Sequence, residues 1–112
     1  MDDQEFQTRA GNALAALHKR LTTASDLASD EHAFEADFNA GALTVEFEDP
    51  PAKFVVSPNS PVRQIWVSAH SKSFKLDFDA ARDTFVLGAT GQTLTDLLAD
   101  AIGKQLGEEV KL

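Results

Sequence analysis

The chain has 112 residues, 43% of them apolar and 25% charged, and it contains no cysteine. This length fits one domain over residues 1–112, and without cysteine the chain forms no disulfide, zinc–thiolate site or Cys-ligated cluster. Ten Lys and Arg against eighteen Asp and Glu give a net charge of −8, the wrong sign for binding nucleic acid phosphates. No apolar run reaches the roughly 18 residues of a membrane span, and the acidic N-terminus does not fit a signal peptide. We therefore expect a cytoplasmic protein with no membrane or nucleic-acid partner.

The negative charge is concentrated in residues 21–52, which contain no Lys or Arg. The acids of this stretch are Asp26, Asp30, Glu31, Glu35, Asp37, Glu46, Glu48 and Asp49. The rest of the chain balances ten acids with ten bases. Charge this one-sided favours a cationic partner.

The first predicted element is a helix over residues 3–23. Its apolar residues recur at spacings of three and four, which places them on one helical face. That face consists of Phe6, Ala10, Ala13, Leu14, Leu17 and Leu21. Asp2 and Glu5 predict an N-cap and its reciprocal partner. The periodicity is lost over residues 24–32, which we predict to be an acidic loop.

The hydrophobic period changes to two from residue 33 onward, which predicts half-buried strands. The apolar residues of the first two strands are Phe34, Ala36 and Phe38, then Leu43, Val45 and Phe47. The short connection around Gly41 makes these two strands an antiparallel hairpin. Further strands are predicted at about 53–57, 63–69, 73–79 and 84–87, with turns at 58–61 and 80–83.

The last predicted element is a helix that begins at Thr93 and stops at Gly107. Thr93 and Asp96 fit a capping box, and Gly107 suits the residue that follows a helix. The apolar stripe consists of Leu94, Leu97, Leu98, Ala101, Ile102 and Leu106. The order of elements predicts an α+β fold, a two-layer α/β sandwich with two terminal helices packed on one face of a five- to seven-stranded antiparallel sheet. The other sheet face then meets water.

Acidic side chains alternate with apolar ones on the first predicted strand. If the apolar residues face the helices, Glu35 and Asp37 point the other way or toward the sheet margin, near the carboxylates of the preceding loop. Such hard oxygen ligands suit ferrous, ferric, manganese, calcium or lanthanide ions, and a site without enforced geometry is weak and unselective. His32, beside Asp30 and Glu31, adds one nitrogen donor. The same pattern is also typical of a solvated acidic surface that keeps a protein soluble.

The single Trp falls on the uncovered face of its predicted strand, since Ile65, Val67 and Ala69 alternate with it. An exposed Trp is typical of a binding hot spot, and Arg63 and Gln64 suit the polar rim of an interface. The alternative interpretation is that Trp66 packs flat against neighbouring strands or the proline-rich turn.

Motifs of conventional catalysis are missing from the sequence, which has no phosphate-binding Gly loop, HExxH motif or nucleophile elbow. The histidines lie far apart along the chain. We interpret His18 as a boundary histidine and His70 as a solvated turn residue. We therefore expect a protein that is not an enzyme.

Over almost its whole length the sequence resembles the bacterial CyaY branch of the frataxin family. The matching segments are Glu5-Phe6, NAGALTVEF over 39–47, PVRQIWV over 61–67, FKLDF over 74–78 and GQTLTDLL over 91–98. The most specific of these are Gln64-Ile65-Trp66 and the helix start Gly91-x-Thr-x-x-Asp-Leu-Leu98.

The resemblance implies a helix–sheet–helix sandwich, a role in iron–sulfur cluster assembly, weak binding of ferrous or ferric iron on an acidic ridge, and docking on the cysteine desulfurase and its scaffold protein. The ridge positions that carry over are Asp26, Asp30, Glu31, Glu35 and Asp37. The partner-binding positions that we predict are Glu46, Arg63, Gln64 and Trp66. Bacterial relatives commonly extend the acids back along the end of helix one, whereas this chain has His18, Lys19, Arg20, Thr22 and Thr23 there. The ridge is therefore shortened. Ser57 stands where the family often has Asn on the sheet surface.

Three functional hypotheses follow. The protein is an iron donor to the scaffold, or a regulatory module that clamps the desulfurase, or a weak ferroxidase. In the regulatory module, iron is a signal or its binding is incidental. Because the chain has no cysteine, it cannot carry sulfur or ligate a cluster through Cys, so it acts by bringing iron or by altering the desulfurase. The ferroxidase ranks last because no dinuclear Glu-x-x-His pattern is present. We expect a monomer, with metal-induced oligomers as a further outcome.

Overall fold

Two helices pack on one face of a six-stranded antiparallel sheet in the computed structural model, which describes residues 2–27, 34–39, 41–48, 51–70, 72–107, 110 and 112. The helices are α1 (Asp3–Leu27) and α2 (Leu94–Leu106). The strands are β1 (Phe34–Asn39), β2 (Ala42–Glu48), β3 (Pro51–Asn59), β4 (Gln64–Ala69), β5 (Lys72–Asp79) and β6 (Thr84–Leu87). The predicted α+β two-layer sandwich is confirmed, and six strands fall within the predicted range of five to seven.

The helix α1 forms because its apolar residues make one stripe against the sheet. The buried residues of that stripe are Phe6, Ala10, Leu14, Leu17 and Leu21. The predicted N-cap is present, since the Glu5 N–H donates to Asp2 Oδ1 at 2.7 Å. The predicted end at residue 23 is wrong, because α1 continues to Leu27 and takes in the first part of the predicted acidic loop.

Contacts with β1 hold this additional turn of α1. Ser25 Oγ donates to the carbonyl of Phe34, and it also accepts from the Phe34 N–H at 3.4 Å. Ala24 packs against the core. The apolar periodicity does not mark this turn, because Ala24 and Ser25 are small. Packing against the rest of the protein stabilises it instead, as tertiary packing does for most helices of folded proteins.

The sheet is a simple meander in which each strand pairs with the next along the chain. The hairpin of β1 and β2 closes at the pair Asn39↔Ala42. Gly41 lies in the turn with φ of 81°, a left-handed conformation that glycine adopts without steric cost. The predicted antiparallel hairpin is therefore confirmed.

The strand β3 is longer than predicted and includes two prolines. Pro51 is its first residue, where a missing N–H costs little. Pro58 stays within the strand, opposite Ile65 on β4. The predicted turn over residues 58–61 is therefore reduced to a short 3₁₀ helix, Ser60–Val62, followed by Arg63 in the left-handed region with φ of 54°.

Alternation divides the strand residues between a helix-covered face and an open face, as predicted. The buried strand residues are Phe34, Leu43, Val45, Phe47, Phe54, Val56, Ile65, Val67, Ala69, Leu76 and Phe85. Phe38 shares the helix-facing row of β1, and its ring centroid lies 6.4 Å from that of His18. It is nonetheless 41% exposed, because it lies near the end of an edge strand.

The helix α2 begins and ends where the sequence predicts. Thr93 Oγ1 accepts from the Asp96 N–H at 3.2 Å, which satisfies one of the free donors of the first turn. Gly107 has φ of 72°, and its N–H donates to the Gly103 carbonyl at 2.8 Å. Over the described part of the chain, neither helix has the length and apolar character needed to cross a membrane.

Candidate functional site

Three acidic side chains lie on the open face at the β1 edge of the sheet. Glu35 on β1 is directly opposite Glu46 on β2, and Asp37 is opposite Thr44. All three carboxylates are exposed. Side chains opposite each other in an antiparallel pair have Cβ atoms about 4.5–5.5 Å apart. We call Glu35, Asp37 and Glu46 the acidic strand pair.

Neighbouring bases do not neutralise the acidic strand pair. Glu46 is opposite Lys53 on β3, but no ion pair within 4.0 Å joins any of the three carboxylates to a described Lys, Arg or His. Two like charges opposite each other therefore keep an unfavourable interaction, which a bound cation relieves.

The predicted iron ridge is only partly within the described residues. Asp30 and Glu31 lie outside them, and so does His32. Asp26 is in the last turn of α1, and its side chain is outside the described set. Within the described ranges, no three His, Asp or Glu side chains are grouped closely enough to hold a metal ion. The iron ligand set stays a prediction.

Trp66 lies on the open face of β4 with 37% of its surface exposed. Its indole Nε1–H donates to Gln64 Oε1 at 3.0 Å. The Gln64 side chain in turn donates from Nε2 to Asp77 Oδ1 on β5 at 3.0 Å. The two hydrogen bonds fix the orientation of the Gln64 amide and the edge of the indole that faces it.

The neighbouring strand also supports the indole ring. Lys75 is opposite Trp66 in the register of β4 and β5, and its Nζ lies 5.0 Å from the ring centroid. A cation at this distance attracts the ring face. Sequence reasoning missed Lys75 and Asp77, although both alternate with the buried Leu76 and could have been assigned to the open face. Trp66 is thus both on the uncovered face, as predicted, and packed against neighbouring side chains.

The described contacts of Arg63 are with the 3₁₀ turn and with α1. Its guanidinium donates to the Ser60 carbonyl, and its Nη1 is 3.7 Å from Asp3 Oδ1 in the first turn of α1. Because α1 covers the opposite face of the sheet, the described contacts of Arg63 lie in the helix layer. Spacing along the sequence predicts Arg63 for the interface rim, and that role stays a prediction.

The two described histidines are fixed by contacts from other elements. His18 Nε2 donates to the Ala36 carbonyl at 2.9 Å, which confirms it as a boundary residue that satisfies the outer edge of β1. His70 is exposed at the end of β4, as predicted, but its side chain also contacts two other elements. Its Nε2 lies 3.2 Å from Gln105 Oε1, and its ring packs edge-on against Phe54 at 5.0 Å.

Known proteins are similar to this chain in sequence and in structure. The model of the frataxin-like domain family matches residues 1–108. The chain is 37% identical over 73 residues to the iron–sulfur cluster assembly protein CyaY of Azotobacter vinelandii (strain DJ / ATCC BAA-1303). That alignment covers 65% of this chain and 66% of the relative, just under two thirds of its length.

A solved structure is also similar to this chain. Frataxin from Psychromonas ingrahamii superposes with a TM-score of 0.75, covering 99% of this chain and 97% of the other. The sequence identity is 23%, so this likeness bears on the fold alone.

Proposed function

The chain belongs to the frataxin-like domain family, and we propose that it acts in iron–sulfur cluster assembly by docking on the cysteine desulfurase and its scaffold protein. The similarity to the iron–sulfur cluster assembly protein of Azotobacter vinelandii supports this assignment. The observation that carries it is the acidic strand pair, whose carboxylates lack a basic partner among the described residues and share the open sheet face with Trp66.

Charge selects the kind of partner in this proposal. The surplus of negative charge lies within residues 21–52, and the acidic strand pair is its described part. A basic patch on the desulfurase would relieve the repulsion between Glu35 and Glu46. Complementary charge mainly raises the association rate and fixes the orientation of a complex, so binding should weaken as salt rises.

Trp66 supplies the apolar contact of the proposed interface. Trp is enriched at binding hot spots, which lie in well-packed and desolvated positions. The hydrogen bonds through Gln64 and the contact with Lys75 hold the indole before a partner arrives. Less rotamer entropy is then lost on binding.

Iron enters this proposal as cargo or signal. Exposed carboxylates offer the hard oxygen ligands that ferrous and ferric ions accept, and a site without enforced geometry binds them weakly. We propose Glu35 and Asp37 as described contributors, with Asp26, Asp30 and Glu31 as further ligands. The chain has no cysteine, so the iron would pass to thiolates supplied by the partner.

A regulatory module is the second candidate function. It is supported by the position of the acidic strand pair and Trp66 on one exposed sheet face, because docking needs only these side chains. In that case, desulfurase turnover changes on binding without iron.

The test is the affinity of the purified chain for the cysteine desulfurase of the same organism, measured at several salt concentrations. The variant Glu35→Gln with Asp37→Asn removes two charges from the acidic strand pair. The matched control, Asp96→Asn with Asp100→Asn, removes two exposed charges from α2. We expect the first variant to bind more weakly with a shallower salt dependence and the control to bind like the parent. Equal weakening by both would contradict the proposal, because it would show a response to net charge alone.

A further inference from the structure

The edge of the sheet is open where β6 is too short to pair with the whole of β5. The strand β5 has eight residues and β6 has four, and their pairing stops at Leu76↔Leu87. After β6 the chain turns back, since the Leu87 carbonyl accepts from the N–H groups of Thr90 and Gly91. Among the described residues, no strand therefore continues along residues 72–75. An edge strand of this kind directs alternate N–H and C=O groups outward.

A cavity of about 340 Å³ lies beside this open edge, between the β4–β5 turn and α2. This is at the lower end of the range for small-molecule sites, about 300–1,000 Å³. Its apolar lining consists of Ala69, Phe74, Leu97 and Ala101. Its polar lining consists of His70, Lys72, Asp100 and Lys104. Apolar walls with a few converging polar groups are typical of a ligand site.

Two ammonium groups reach the cavity from different elements. Lys72 begins β5, on the helix-facing row opposite Ala69. Lys104 comes from the last turns of α2, and its Nζ is 3.5 Å from Asp100 Oδ2. No described carboxylate lies within ion-pair distance of Lys72. The lining therefore has a positive balance in a chain whose net charge is −8.

His70 forms a fixed wall of the cavity. Its backbone is in the left-handed region with φ of 52°. The ring is held by Phe54 on one strand and by Gln105 on α2, whose amide oxygen accepts from Nε2. Contacts from β3 and α2 therefore position the imidazole, whose outer part is exposed. A preformed wall lowers the cost of binding.

We propose that this cavity binds a small organic anion, a carboxylate or phosphate monoester on an apolar body about the size of one ring. The anionic group would lie between Lys72 and Lys104, where outward N–H groups of the β5 edge add donors. The apolar body would contact Phe74 and Ala101. This site is on the opposite side of the sheet from Trp66, so it does not depend on the proposed docking function.

The test is titration of the ¹⁵N-labelled chain with benzoate and, separately, with phenyl phosphate, followed by two-dimensional NMR. We expect saturable shifts centred on His70, Phe74 and Ala101, and the tighter of the two probes identifies the preferred anionic group. Benzyl alcohol, which lacks the charge, should bind at least tenfold more weakly than the preferred anion. Each charge-assisted hydrogen bond contributes about tenfold to affinity, so Lys72→Gln and Lys104→Gln should each raise Kd by about that factor.

Two further variants separate this site from general charge attraction. Lys53→Gln removes the same charge from the open face and should leave Kd unchanged. Asp100→Asn removes the carboxylate that competes for Lys104 and should lower Kd. Shifts that do not saturate, shifts scattered over all lysine-bearing surfaces, or equal weakening by Lys53→Gln would overturn the proposal.

Discussion

Replacing Glu35 by Gln should stabilise the fold, although it removes a side chain from the proposed functional surface. Glu35 is directly opposite Glu46 across the β1–β2 pair, and no described base forms an ion pair with either carboxylate. Removing one charge ends the repulsion and leaves a side chain of nearly the same shape. Asp37→Asn is the matched control, because Asp37 is opposite the neutral Thr44.

The size of the effect follows from Coulomb's law. Two unit charges about 5 Å apart repel by about 0.8 kcal/mol in water, and splayed exposed side chains reduce this to about 0.3–0.8 kcal/mol. One kcal/mol corresponds to about 4 °C in a domain of this size. We therefore expect Glu35→Gln to raise the melting temperature by about 1–3 °C at low salt. Glu46→Gln should gain less, because Glu46 also lies opposite Lys53.

The assay is thermal unfolding followed by circular dichroism, without added metal, at about 10 mM and about 1 M ionic strength. At the higher value the Debye length falls to about 3 Å, so the gain should nearly disappear. The double variant of Glu35 and Glu46 should not be more stable than Glu35→Gln, since one substitution already removes the pair. If Asp37→Asn stabilises as much as Glu35→Gln, or if salt leaves the difference intact, the pairwise interpretation is refuted.

Three other predictions concern partner binding, iron and the second helix. Trp66→Ala should weaken desulfurase binding by about 2 kcal/mol or more. Trp66→Phe is the control variant and should keep most of the folding stability, because it keeps the packing. Unchanged desulfurase binding by Trp66→Ala would remove Trp66 from the interface. Ferrous iron at about 100 times its Kd should raise the folding stability of the parent by roughly 2.7 kcal/mol. The variant Glu35→Gln with Asp37→Asn should gain less stability from the same iron, and an equal gain would place the iron elsewhere. Thr93→Ala should cost about 1 kcal/mol through loss of the N-cap of α2, measured by urea unfolding, while Thr95→Ala, at the second residue of α2, should cost less.

Local patterns were sufficient to predict most of the fold. The stripe of α1, the period of two from residue 33 and the caps at Thr93 and Gly107 are patterns that repeat or close within a few residues along the chain. They can be recognised in the sequence itself, although the burial that the stripe and the alternation indicate is completed by tertiary packing. The continuation of α1 to Leu27 was missed because Ser25 is fixed by β1, whose position only the folded chain defines.

The candidate site was less predictable than the fold, because its contacts join distant parts of the chain. Alternation placed Trp66 on the open face, but the contact with Lys75 depends on the register of β4 and β5. Arg63 and His70 contact Asp3 and Gln105 respectively, both far away in sequence. The cavity lies beside the part of β5 that β6 does not reach, because β6 stops at Leu87. Periodicity predicts the end of β6, but it does not show that the neighbouring edge of β5 stays unpaired.

The central claim is that the open sheet face, with the acidic strand pair and Trp66, meets the partner. The most direct measurement is an NMR map of the ¹⁵N-labelled chain on adding unlabelled cysteine desulfurase. The account predicts that line broadening and shifts centre on Glu35, Glu46 and the Trp66 indole N–H, while the outer surface of α2 is unaffected. Perturbation centred on α2, with an unchanged indole signal, would contradict it.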